Sequence, residues 1–235
     1  MESAQPYART LVVMAKAPRP GLVKTRLIES LPEEAVTAFY RCLLDDTIAL
    51  ARSLTAVKVA VMCPHSDVGD LTGMMGNGIQ VVAQQGEGLA AGLTSVFGHF
   101  AGRKQSVIAF NSDSPHLPKT VLEDAFDTLA SRDLVVGPTD DGGYYLVGAK
   151  SSHPTLFAGD NMGTTSALES LLMRARKLNL SVGFTDLFYD VDVAADLLRL
   201  AAELKLVPGR APRTAGWLKQ WGTIVAKLRA DTTDL

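Results

Sequence analysis

The chain of 235 residues has little cysteine, no large charge of either sign and no long apolar run. Its two cysteines, Cys42 and Cys63, cannot build a disulfide framework or a metal knuckle, and each lies in an apolar stretch that suits a buried free thiol. A reducing compartment follows, and a cytoplasmic location is expected. Lys and Arg number 23 against 25 Asp and Glu, a net charge of −2, which provides no broad basic surface for a nucleic-acid polymer. Uncharged apolar stretches such as Val107-Ile108-Ala109-Phe110 fall far short of the ~20 residues a membrane helix requires. Glu2 and Arg9 stand among polar residues where a signal peptide would be apolar, so no membrane partner is expected. Internal repeats, low-complexity segments and the linear Ser-His-acid or Cys-His patterns of nucleophilic catalysis are also missing.

What is present describes an ordinary globular chain: 47% hydrophobic and 20% charged residues, long enough to bury a large core. Apolar runs of strand length recur at Thr10 to Ala15, Val57 to Cys63, Ile79 to Ala83, Ser106 to Phe110 and Leu134 to Val136. Helical patterns separate them: Ala35 to Leu54 after Pro-Glu-Glu, Leu89 to Phe100, and Lys119 to Leu129 after Pro118. This alternation predicts a parallel α/β sheet. The order then changes, because Pro138 to Gly143 separates Leu134 to Val136 from a second strand-like run, Tyr144 to Val147, and one antiparallel member is expected. Helical patterns resume at Thr164 to Leu178 and Val193 to Leu206. Pro208 to Pro212 reads as a linker before a stripe of Trp217, Leu218, Trp221, Ile224, Val225 and Leu228. The expected organisation is a domain over residues 1–206, followed over 207–235 by a linker and an amphipathic helix packed on the same domain or on a homodimer partner.

In such sheets ligands collect beyond the carboxyl ends of the strands. After the first strand, Lys16-Ala17-Pro18-Arg19-Pro20-Gly21-Leu22-Val23-Lys24-Thr25-Arg26 carries four cations and no acid, with two prolines to stiffen it. An anion such as a polyphosphate suits this loop, held by Lys16, Arg19, Lys24 and Arg26. It is not a nucleotide-triphosphatase loop, since Leu22-Val23 intervene between Gly21 and Lys24-Thr25. Gly86-Glu87-Gly88 after the third strand matches a loose dinucleotide pattern, but its glutamate would face a pyrophosphate and it does not belong to the opening strand. The fourth strand ends in Asn111-Ser112-Asp113-Ser114-Pro115-His116, which offers Asp113 as a hard-metal ligand or a turn former. His116, without a partner at ligand spacing, reads as a surface residue. In the extended segment Leu187 to Val193, alternation sends Asp190 and Asp192 to one face, suited to a cation, while Asp192 also fits as a helix cap. Asp140-Asp141-Gly142-Gly143 is either a turn or a substrate contact, and only one of Tyr144 and Tyr145 can face a site.

Three segments together resemble a bacterial family of glycosyltransferase-like proteins with the nucleotide-diphospho-sugar transferase fold: Ala15 to Leu27, Ser112 to Pro118, and Gly137 to Gly148. Asp190-Val191-Asp192-Val193-Ala194-Ala195-Asp196-Leu197 is similar to the family's closing segment, so the resemblance covers about Thr10 to Leu197. More distantly the chain is similar to the guanylyltransferases of molybdenum-cofactor and phospholactate metabolism. The resemblance implies a single α/β/α domain of three layers with a mixed, mostly parallel sheet of about seven strands. It also implies phosphate contacts from Lys16, Arg19, Lys24 and Arg26, and magnesium or manganese held by Asp113 and Asp192 with Asp190. One departure is visible: members carry an acid-arginine-methionine run where this chain has Ala91-Gly92-Leu93, which removes a cationic contact.

The function expected from these readings is metal-dependent transfer from a nucleotide-sugar to a small-molecule acceptor. Asp113 and Asp141 would act in catalysis, and Asp140, Gly142, Gly143 and Tyr144 would hold the sugar, carboxylates to hydroxyls and ring to sugar face. The alternatives are nucleotidyl transfer with release of pyrophosphate from a nucleoside triphosphate, or nucleotide binding without turnover.

Overall fold

The computed structural model describes residues 8–102, 105–158 and 166–222. Seven strands, β1 (Ala8–Met14), β2 (Val57–Cys63), β3 (Gln80–Ala83), β4 (Gln105–Asn111), β5 (Leu134–Pro138), β6 (Tyr144–Ala149) and β7 (Val182–Phe184), form one sheet in the order β3-β2-β1-β4-β6-β5-β7. Every pairing is parallel except the two made by β6, which runs against both β4 and β5. The antiparallel member expected at Tyr144 to Val147 is therefore β6. The seventh strand is Val182–Phe184, while residues 187–193 form no strand and join the sheet's hydrogen-bonding pattern through the isolated bridge Thr139 to Phe188. The central strands have buried runs because both faces are covered, and alternation divides their side chains.

Leu11, Val13, Val61, Ile108 and Phe110 point into one layer with Leu44 and Ile48 of α2 (Glu33–Arg52), Leu71 of α3 (Val68–Met75) and Leu122 and Phe126 of α5 (Lys119–Ser131). Val12, Ala60, Met62, Val107 and Ala109 face the opposite layer, with Leu93, Val96 and Phe97 of α4 (Gly88–Phe100) and Leu171 and Ala175 of α6 (Ala167–Lys177). This is the three-layer α/β/α arrangement.

A third apolar cluster closes one end of the molecule. Phe39, Tyr40 and Leu43 of α2 meet Leu197, Leu200 and Leu204 of α7 (Ala194–Leu206) and Trp217 and Leu218 of α8 (Pro212–Gln220). The ring of Trp217 lies 4.8 Å from that of Phe39 and 5.5 Å from that of Trp221. α8 begins inside the segment read as a linker because Pro212 is acceptable in a first turn, and the buried Asp46 carboxylate accepts from the amides of Arg213 and Thr214. The described part of the carboxyl-terminal segment thus packs on its own chain. Ile224, Val225 and Leu228 of the predicted stripe lie outside the described residues, as do Thr164 and Glu2.

The chain leaves β1 toward β2 on one side and returns through β4 on the other. The carboxyl ends of β1 and β4 are therefore where the connection reverses, and loops diverge there to leave a crevice.

Candidate active site

The loop after β1 is built to hold its shape. Tyr40 of α2 accepts the Lys16 amide at 3.0 Å, donates to the Lys16 carbonyl at 3.2 Å, and its hydroxyl lies 3.2 Å from Ser112 Oγ in the loop after β4. Burial, with the Asp113 charge nearby, pushes the Tyr40 phenol up to about 12, so it stays protonated. The loop ends at Lys24, which takes the left-handed conformation (φ 48°, ψ 45°) just before the short helix α1 (Thr25–Ile28).

The loop after β4 and the extended segment before α7 are tied together. Val191 donates its amide to the Asp113 carbonyl at 3.3 Å, and Ser114 Oγ donates to the Tyr189 carbonyl at 3.1 Å. These bonds bring Asp113, Asp190 and Asp192 into one group in which one carboxylate oxygen of each lies within 4.8 Å of the others. Asp192 does not cap α7; Asp196 does, accepting from the amides of Asp192 and Val193 at 3.0 and 2.9 Å. That leaves the Asp192 carboxylate to Lys24, whose Nζ stands 2.6 Å from Asp192 Oδ1 and 2.9 Å from Asp113 Oδ2. Burial by itself would lower the Lys24 pKa, but the Asp113 and Asp192 charges outweigh it and hold the ammonium charged well above its usual range. Burial, reinforced by Asp192 and Asp113, pushes the Asp190 carboxyl up to about 7.

Two clefts meet at this group. The larger, about 1000 Å³, runs between the loop after β1 and the ends of β2 and β3, and is lined by Lys16, Lys24, Ser66, Gln84 and Gly86 to Leu89 among others. The smaller, about 590 Å³, lies over β4 and β6 and includes Thr139, Asp141, Gly143, Tyr144 and Asp190. Met14, Arg26, Leu89, Asp113 and Asp192 line both. The structure thus brings together Lys16, Lys24, Arg26, Asp113, Asp190, Asp192, Asp141, Gly143 and Tyr144.

Other expected site residues lie elsewhere. Arg19 faces away from both clefts and clamps the loop to the helical segment that follows β2, its guanidinium on Asp67 (2.9 Å), Asp70 (2.7 Å) and the Ser66 carbonyl. Asp140 is ion-paired with Arg199 of α7, which lies over the Tyr189 ring. Gly142 supplies a turn at φ +88° and lines neither cleft. Lys24 points at carboxylates, not into open cleft space. Asp141 lines the smaller cleft, but its Oδ1 already accepts from Thr139 Oγ1 at 2.6 Å and from the Gly143 amide at 3.0 Å, so the turn and cleft readings coexist there. Both tyrosines contribute to the lining of the smaller cleft, but their side chains part: Tyr144 packs on the layer of α4 and α6, whereas Tyr145 sends its hydroxyl to Thr185 and the Asp186 carbonyl on the other layer. His116 is fully buried against Tyr189 with ring centroids 4.3 Å apart, not on the surface.

Sequence reasoning missed the wall of the larger cleft formed by Pro64, His65, Ser66 and Gln84. Its signal was position alone, the carboxyl ends of β2 and β3. Gly86 and Gly88, weighed only as a dinucleotide fingerprint, take positive φ and open this wall into α4. At Gly92 a Cβ would stand 2.7 Å from Met14 Cε and 2.8 Å from Gln84 Oε1, so these two side chains fill the space a larger residue would take.

The family model described as "Uncharacterized protein conserved in bacteria (DUF2064)" matches residues 47–164. The chain is 30% identical over 179 residues to 2-phospho-L-lactate guanylyltransferase from Methanothermobacter thermautotrophicus, covering 74% of this chain and 76% of that one. A Desulfovibrio desulfuricans G20 protein provisionally assigned as a nucleotide-diphospho-sugar transferase superposes with a TM-score of 0.85 at 24% identity, over 94% of this chain and 98% of that one. Rv0371C from Mycobacterium tuberculosis H37Rv, solved with manganese, gives a TM-score of 0.54 at 18% identity over 83% and 98%. The sheet and layers are those of the nucleotide-diphospho-sugar transferase fold, and the kinship is with transferases. With half of its length matched by the family model, and a transferase by that kinship, the chain belongs to the DUF2064 family.

Proposed function

We propose that the protein is a nucleotidyltransferase that moves a nucleoside monophosphate from a nucleoside triphosphate to a phosphorylated small molecule. The observation that carries this reading is the junction of two clefts of about 1000 and 590 Å³ at Asp113, Asp192 and Arg26. Transfer needs a donor and an acceptor on either side of one electrostatic centre. The larger cleft takes the triphosphate, whose charge is met by Lys16 and Arg26, neither of which has an ion pair among the described residues. The smaller takes the acceptor. An acceptor phosphate oxygen forms a bond to the α-phosphorus, the bond from that phosphorus to the bridging oxygen of the β-phosphate breaks, and pyrophosphate leaves with the electron pair. A phosphate nucleophile is already an anion, so no general base is required.

Asp113, Asp190 and Asp192 form an all-oxygen set of the kind that binds magnesium or manganese, and they would hold the ion. When bound, such an ion supplies neutralisation of charge on the phosphate oxygens. The manganese in the mycobacterial fold relative and the guanylyl transfer named for the Methanothermobacter relative support this choice. A nucleotide-sugar donor is less well served: Asp140, expected to hold sugar hydroxyls, is paired with Arg199, and one Asp141 oxygen belongs to its own turn. The site has the parts for turnover, which argues against a purely binding protein.

The test is pyrophosphate release from each nucleoside triphosphate, GTP first, with magnesium and a panel of phosphorylated acceptors including phospholactate. Acceptor-dependent release that falls by at least about a hundredfold in Asp113→Asn is expected. Lys16→Ala and Arg26→Ala should each weaken triphosphate binding roughly ten- to a hundredfold, the loss of a charge-assisted hydrogen bond. Release of a nucleoside diphosphate from a nucleotide-sugar, with no pyrophosphate from any triphosphate, would overturn the reading in favour of glycosyl transfer.

A further inference from the structure

Lys24 occupies an unusual place for a cation in a loop whose Lys16 and Arg26 line the clefts. Its side chain is 4% exposed, whereas those of its partners Asp113 and Asp192 are 24% and 41% exposed, so the ammonium lies beneath the carboxylates rather than over them. Its aim is set by the backbone: a non-glycine residue in the left-handed region costs about 1 kcal/mol, and the Tyr40 and Arg19 contacts on the same loop hold it there. The oxygens it engages, Asp113 Oδ2 and Asp192 Oδ1, come from two of the three carboxylates grouped for a metal. Lys24 also lines the larger cleft, while Asp190, the third carboxylate, lines the smaller one.

We propose that Lys24 is a resident cation that keeps this carboxylate group weak toward a divalent metal until a polyphosphate in the larger cleft draws its ammonium away. This rests on the nucleotidyl-transfer reading for the identity of the polyphosphate. Two cations on the same pair of carboxylates repel at close range in a partly dry site, so a metal arriving alone must displace an ammonium whose ion-pair partners among the described residues are those same two carboxylates. A triphosphate supplies that counter-charge. The lysine stem is flexible and the residue lines the larger cleft, so rotation of the side chain would carry the ammonium from the carboxylates to phosphate oxygens there. Metal and polyphosphate then bind in concert, and by linkage each raises the affinity of the other. When the charged product leaves, the ammonium returns and keeps three neighbouring carboxylates from repelling.

Calorimetric titration of Mn²⁺ alone into the wild type, Lys24→Gln and Lys24→Met tests the competition directly. Both variants should bind Mn²⁺ at least tenfold more tightly than the wild type, and both should bind inorganic triphosphate more weakly. Equal or weaker Mn²⁺ binding by the variants would overturn the proposal. Should the variants fail to fold, the Lys24 Cε resonance of ¹³C-labelled wild type decides. Low-millimolar Mg²⁺ alone should leave it in place, and Mg²⁺ with inorganic triphosphate should move it. An equal movement with Mg²⁺ alone would refute the idea. Neither measurement uses an acceptor or turnover, so the proposal can fail while pyrophosphate release persists, and pyrophosphate release can be absent while the binding results stand.

Discussion

Asp113 and Asp192 stand 79 positions apart in the chain and yet belong to one group of oxygens within 4.8 Å. Their residue type and their places after a strand and in an extended segment were readable. The bonds that join them, Ser114 to the Tyr189 carbonyl and Val191 to the Asp113 carbonyl, were not, because any backbone can offer them. His116 shows the same limit in reverse, since nothing local reveals that its ring lies beneath Tyr189 with neither nitrogen bonded among the described residues. Burial lowers its pKa from 6.5 to about 4, with Glu203 acting against the shift and Arg199 and Arg210 with it. The unfolded chain therefore takes up a proton near pH 6.5 that the folded protein refuses until about pH 4. The stability tied to a neutral His116 is complete above pH 6.5 and is lost as pH falls to 4, by up to roughly 3 kcal/mol. Urea unfolding of the wild type and His116→Leu at pH 7 and pH 4 isolates this residue, because other groups cancel in the difference. The wild type should lose ground relative to the variant at the lower pH; a pH-independent difference would show that His116 titrates normally.

Elements were legible where a period ran long enough to be counted. β1, β2, β4 and α2, α4 and α5 begin or end within about two residues of their apolar patterns, since burial on defined faces imposes the pattern. Short elements escaped: α1, α3 and β7 span 4, 8 and 3 residues and are fixed by tertiary neighbours rather than by periodicity. α8 is the informative case, because a buried carboxylate 166 positions before its first residue terminates it. Asp46 is 1% exposed and accepts from the Thr214 amide at 2.8 Å and the Arg213 amide at 3.3 Å. Asp46→Ala leaves both amides without that acceptor and should cost about 2 kcal/mol. Because α8 carries Trp217 and ends at Trp221, denaturant unfolding followed by tryptophan emission reads the element itself. A lowered midpoint with an unchanged slope is expected. An unshifted midpoint would mean that Phe39, Trp217 and their neighbours hold α8 without the cap.

At the scale of the whole molecule, the sheet order puts β1 and β4 side by side while sending their following loops apart, and the two clefts occupy the two sides of that divergence. This much follows from an alternating α/β pattern, but which cations face the clefts does not. Arg19 and Arg26 look equivalent in the sequence, and only the approach of Asp67 and Asp70 removes the former. The division of labour between the clefts can be separated by substitution. Leu22 is 58% exposed and lines only the larger cleft, so Leu22→Asp should place a negative charge beside the triphosphate and weaken its binding about tenfold without affecting the fold. Tyr144 lines only the smaller cleft, so Tyr144→Leu should raise the acceptor KM and leave triphosphate affinity within about twofold. Arg26 lines both, and Arg26→Ala should alter both constants. Steady-state kinetics with each substrate varied in turn, alongside direct binding of the triphosphate, distinguishes these outcomes. If Tyr144→Leu weakened the triphosphate as much as the acceptor, with its thermal midpoint unchanged, the two clefts would have to be one continuous donor site, and the acceptor would approach from the solvent side of Arg26.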